Sequence, residues 1–90
     1  MKRHTFNGVQ YNVDLEDTVA YCDEPHPKRP TIYIPVDKYR GKGQRLLYLL
    51  VHEACHACNY RASEDGVERT AHDISRFLWR LGYRKIKKTK

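Results

Sequence analysis

The apolar residues of this chain change their spacing at Gln44, and that change divides the fold. Before it, short β-branched and aromatic runs alternate with turn residues; after it, apolar residues recur at helical intervals. The expected class is therefore α+β, a small N-terminal sheet packed on two C-terminal helices. Ninety residues allow one domain, set at residues 1–84, with a basic tail at 85–90. A chain of this size builds only a modest core, so a bound metal ion would add usefully to its stability.

In the first part, "TFNGVQYNV" places Asn7-Gly8 between two short runs, a hairpin turn signal. "DTVAYCD" alternates well enough for a further strand ending at Asp23. "EPHPKRP" holds three prolines in seven residues and must be loop. "TIYIPV", residues 31–36, is the strongest strand signal in the chain. Pro35 has no N–H to give to a ladder, so this strand is expected at a sheet edge, or to stop there. An antiparallel sheet of about three strands follows.

In the second part, Gly41 and Gly43 punctuate a basic turn, and a helix is expected from Gln44 to about Asn59. Leu46, Leu47, Leu50, Ala54 and Ala57 fall on one side of it, while Leu49, His52 and His56 lie toward another. "RASEDG" breaks the pattern. A second helix is expected from about Asp65 to about Leu81, with Val67, Ala71, Ile74, Leu78 and Leu81 as its core stripe and Gly82 as its stop.

The chemistry is concentrated in "VHEACHAC", residues 51–58, where two patterns overlap. Positions i and i+4 of a helix stand one turn apart on one face, so His52 and His56 can offer two imidazole nitrogens to one ion. Glu53 lies about 100° around the helix from His52, suited to reach a water on the ion rather than the ion itself. Two His ligands with a Glu as general base is the zinc-hydrolase arrangement. Zinc lowers the pKa of its water to roughly 7, and Glu53 takes the proton and passes it to the leaving amine.

The competing Cys55-x-x-Cys58 pair sits in the last turns of the same helix. There the helix dipole favours the protonated thiol, whereas redox pairs normally occupy a helix N-terminus. A structural zinc site would need two more ligands, and only Cys22 remains among the cysteines. Cys55 and Cys58 are therefore expected to be half-buried packing residues.

A catalytic zinc needs a third protein ligand and an open position. Two residues of the second helix are candidates: Glu68, twelve residues beyond His56, and His72, sixteen beyond. Glu68 is the expected ligand and His72 the alternative, the residue left over serving as an outer partner or transition-state donor. Asp65 and Glu68 also have the spacing of a capping box, a purely local role.

"TIYIPV" followed by "LLYLLVHEACHA" resembles the strand and active-site helix of minimal zincins, the HExxH metallopeptidases. The chain looks most like compact SprT-like and ImmA/IrrE-like proteins. It is similar as well to short metallopeptidases encoded by bacteriophages, in which a helix ending "FLWRLGYR" follows the motif. That last resemblance runs from Thr31 to Arg84. It implies peptidase activity, a zinc ion and a protein or peptide substrate. SprT-like proteins draw their third ligand from a histidine that would map to His72, but beside a glycine that this chain lacks. ImmA-like proteins use an acid in an E-x-x-A-N helix. Glu68-Arg-Thr-Ala71-His72 fits that pattern, with His in place of Asn, which supports Glu68.

The longest apolar run, "LLYLLV", is too short to span a bilayer, and "MKRHTFNG" lacks a signal peptide's apolar stretch. No membrane role and a cytoplasmic location, the host cytoplasm for a phage protein, are the expectation; three cysteines do not suggest a disulfide framework. The net charge of +6 comes largely from "RKIKKTK" at the C-terminus, a solvated tail capable of weak contact with nucleic acid. The leading reading is a zinc metallopeptidase with a shallow cleft and low intrinsic activity, its extended substrate docking along residues 31–36. Two others stand beside it: a non-catalytic, zinc-stabilised module contacting nucleic acid or a host protein, and a zinc hydrolase of another amide or ester. Oligomeric state is not legible.

Overall fold

In a computed structural model, which describes residues 2–25 and 28–83, the chain forms four strands and two long helices. The strands are β1 (Lys2–Phe6), β2 (Val9–Asp14), β3 (Glu16–Cys22) and β4 (Thr31–Pro35). A 3-10 turn at Asp37–Tyr39 leads into helices α1 (Gly43–Cys58) and α2 (Glu64–Arg80). The class is α+β, as the change of period implies. The basic tail at 85–90, and the polyanion contact expected of it, lie outside the described residues.

The hairpin forms where Asn7-Gly8 predicts it. Both residues take positive φ, 51° and 82°, as a type I′ turn requires. β1 and β2 pair antiparallel, Phe6 opposite Val9. The rest of the sheet departs from expectation in two ways. It has four strands rather than about three, and it is mixed: the order is β1-β2-β4-β3, with β2 and β4 parallel and β3 and β4 antiparallel. Leu15 carries the chain past the end of β4, its carbonyl accepting from the Val36 amide at 3.4 Å.

A third departure concerns β4, which is an interior strand and not an edge. Thr31, Ile32, Ile34 and Pro35 are buried, so both faces of the strand are covered. A run with so little polar alternation is the mark of a central strand. Pro35 is compatible with that place because it is the strand's last residue. The edges are β1 and β3. β3 is irregular, its register shifting between Glu16 and Tyr21, and Asp17 Oδ1 accepts from the Thr18 amide at 2.6 Å in the bulged part.

Against one face of the sheet, Tyr11, Cys22, Ile32, Ile34, Leu46 and Ala57 form the main core. A smaller cluster of Tyr48, Leu49 and Ala71 joins α1 to α2. The two stripes read in α1 thus face different partners, one the sheet and the other α2. In α2 the buried line is Val67, Ala71 and Ser75; Ile74 is partly out, and Leu81, past the helix end, is largely exposed. Phe77 is exposed too, while Trp79 covers Gly43, where an added Cβ would meet its ring at 3.2 Å. Gly82 stops the helix with φ 92°. Among the described residues no helix is long and apolar enough to cross a membrane.

Candidate metal centre

α1 ends at Cys58 and α2 begins at Glu64, so five residues turn the chain around. The helices consequently run antiparallel, with the last turn of α1 beside the first turn of α2. His56 and His52 face Glu64 near that turn, Tyr48 meets His72 further along, and Gly43 lies under Trp79 at the far end.

Three donor atoms converge at the turn. His52 Nε2 is 3.1 Å from His56 Nε2 and 3.1 Å from Glu64 Oε2; His56 Nε2 is 3.1 Å from Glu64 Oε1. The group His52, His56 and Glu64 is the one among the described residues whose ligand atoms gather as a metal site requires. Tetrahedral zinc with bonds of about 2.0–2.1 Å needs donor atoms about 3.3 Å apart. Two imidazoles and a carboxylate are also the donor chemistry of a catalytic zinc. The residues present fit the ion.

The histidines stand where the HExxH spacing puts them, both on the α2-facing side of α1. The third donor does not. Glu68 lies four residues, about 6 Å, further along α2, and His72 about 12 Å along. In an antiparallel pair that displacement carries both toward the start of α1. His72 accordingly stacks on the Tyr48 ring, centroids 4.3 Å apart, and Glu68 is close enough to Tyr48 to push its phenol pKa up, after burial. The carboxylate brought to the histidines is Glu64. The helix starts one residue earlier than Asp65: Ser63 is its N-cap, with Oγ accepting from the Gly66 amide at 3.0 Å, and Glu64 is the first helical residue. The serine ahead of two acids was the signal that could have located it.

Glu53 is 6 % exposed and its carboxyl is pushed up to about 7, first by burial and then by the charge of Glu64. It lines a cleft of about 380 Å³ together with His52, His56, Glu64, Tyr60 and the β3 residues Ala20, Tyr21 and Cys22. Glu64, its side chain 65 % exposed, forms the open rim. Cys22 borders the same cleft from the core, its thiol pushed up to about 12 by burial and by Glu53. It is protonated and inert at neutral pH. All three cysteines are free; Cys55 is half-buried as expected, whereas Cys58 is exposed at the helix end. None has its sulfur in the donor group.

A carboxyl poised near neutrality beside a three-donor cage with an open side can accept and return a proton next to a bound cation. No protein family, curated protein or solved structure matches the chain, so the chemistry of this site stands on its geometry.

Proposed function

We propose that this protein is a zinc-dependent peptidase, with His52, His56 and Glu64 as the ion's ligands and Glu53 as general base. The observation that carries it is the gathering of His52 Nε2, His56 Nε2 and the two Glu64 carboxylate oxygens, each pair of residues 3.1 Å apart at these atoms, in one cleft with the buried Glu53 carboxyl. Bound there, zinc supplies a Lewis acid that makes an attacking water acidic at neutral pH. Glu53 takes that water's proton and returns it to the leaving amine. Tyr60, on the cleft wall, is the candidate O–H donor to the oxyanion that develops on the scissile carbonyl.

The substrate rail is β3 rather than β4. Among the described residues β3 has a β neighbour on one side only, and its Ala20–Cys22 segment borders the cleft. An extended peptide can add to that free edge and pass across the metal centre, its backbone held by strand hydrogen bonds. With walls this few, side-chain selectivity is weak.

The test is Glu53→Gln, measured for bound zinc per chain and for hydrolysis of an unfolded protein such as casein. The variant should retain zinc and lose at least a hundredfold in rate. Wild-type protein that binds zinc and hydrolyses nothing would leave the ion as a clip between the helices, the non-catalytic alternative. Replacing Glu64 and Glu68 separately by Ala assigns the third ligand: zinc should be lost from the first variant and kept by the second.

A further inference from the structure

We infer that Tyr48 is the positioning residue of the metal centre, holding His52 so that Nε2 faces the ion. The inference rests on the metal centre proposed above and adds a residue outside the HExxH motif.

Tyr48 precedes His52 by one helical turn, on the same face of α1. Its hydroxyl lies 2.9 Å from His52 Nδ1, while Nε2 is the nitrogen that approaches His56 and Glu64. A histidine that binds a cation through Nε2 gives up the proton there and carries it on Nδ1. Nδ1–H then donates to the Tyr48 oxygen, and the tautomer is fixed by the partner. Both residues are buried, 7 % and 9 % exposed, which leaves water little access to take the phenol's place.

The phenol ring has two further contacts. His72, from α2, stacks on it at 27° and 4.3 Å, and the Arg45 guanidinium sits 5.0 Å from the ring centre. The ring cannot swing away from His52 without breaking its stack on His72. His72 therefore stands two steps from the ion: it braces Tyr48, and Tyr48 orients His52. Outer partners of this kind raise metal affinity by roughly 10- to 100-fold.

The experiment is Tyr48→Phe, which keeps the stacked ring and removes only the oxygen. Zinc affinity is measured by competition with a chromogenic chelator, and unfolding of the metal-free protein is measured alongside. The expected result is zinc binding weakened by roughly 10- to 100-fold, with the metal-free unfolding midpoint little changed. Equal affinity in the two proteins overturns the role of Tyr48 while leaving the metal centre intact. Wild-type protein that binds no zinc overturns the centre itself. Should the variant fold poorly, nitrogen-15 imidazole shifts of zinc-loaded wild-type protein decide the matter. Metallated Nε2 with a protonated, slowly exchanging Nδ1 on His52 supports the inference, and metallated Nδ1 refutes it.

Discussion

Glu53 is a carboxyl kept from water by the sheet on one side and α1's own turn on the other. Its pKa of about 7 in the fold lies well above the value near 4.5 of a free glutamate. Metal-free folded protein therefore binds more protons than the unfolded chain between those two values. The glutamate's contribution to stability is intact below about pH 4.5 and is lost progressively as pH rises to about 7. The loss is on the order of 2–3 kcal/mol. Glu53→Gln has no such titration. Urea unfolding in the presence of a chelator should show wild type losing that amount relative to the variant between pH 5 and pH 8. A wild-type and variant pair with parallel pH profiles would place Glu53 in water. The residues of the motif were legible because one helical turn is a fixed distance: His52, Glu53 and His56 needed no knowledge of the rest of the fold. Glu64 was not, because its place depends on where α2 starts. Glu68, favoured by its resemblance to the E-x-x-A-N pattern, lies a full turn further along the helix.

Ser63 is thus the element-scale hinge of the site. It caps α2 through the Gly66 amide and fixes Glu64 as the first helical residue. Ser63→Ala should cost about 1 kcal/mol of stability. It should also weaken zinc binding by several-fold, since a frayed first turn no longer holds the carboxylate in place. Calorimetry with and without zinc checks both, and a stability loss with unchanged zinc affinity would detach the ligand from the cap. At this scale the sequence was clearest where one interaction dominates. Asn7-Gly8 dictates its own turn, and the two apolar sides of α1 announced two packing partners. It was least clear in the sheet. The pairing of β4 between β2 and β3 is a long-range choice, and of the two readings of Pro35, a sheet edge or a strand stop, the stop is the one that holds. The end of α2 misled in a similar way: Leu81 keeps the period but lies past the last turn, with too little protein beneath it to be covered.

For the whole molecule, α2 packs chiefly on α1 and has little contact with the sheet. Its buried side is narrow, Val67, Ala71 and Ser75, so the second helix is secured almost wholly through α1. On the proposed reading, an ion shared between His52, His56 and Glu64 would tie its first turn to α1. Free zinc at a hundred times its Kd should stabilise the protein by about 2.7 kcal/mol, or roughly 10–20 °C in Tm for a domain of this size. Chelation should reverse that, with amide exchange rising most in α2. Uniform exchange along the chain, or an unmoved Tm, would mean that the helices need no such tie.

The turn between the helices has one more consequence. The three donors fall within thirteen consecutive residues, His52 to Glu64, and no strand contributes any of them. On the proposed reading, grip on the ion is thereby separated from peptide recognition. Changes along β3 would then redraw the list of peptides accepted and leave the cation where it is, whereas shifting the first turn of α2 would take Glu64 from the histidines and empty the cage.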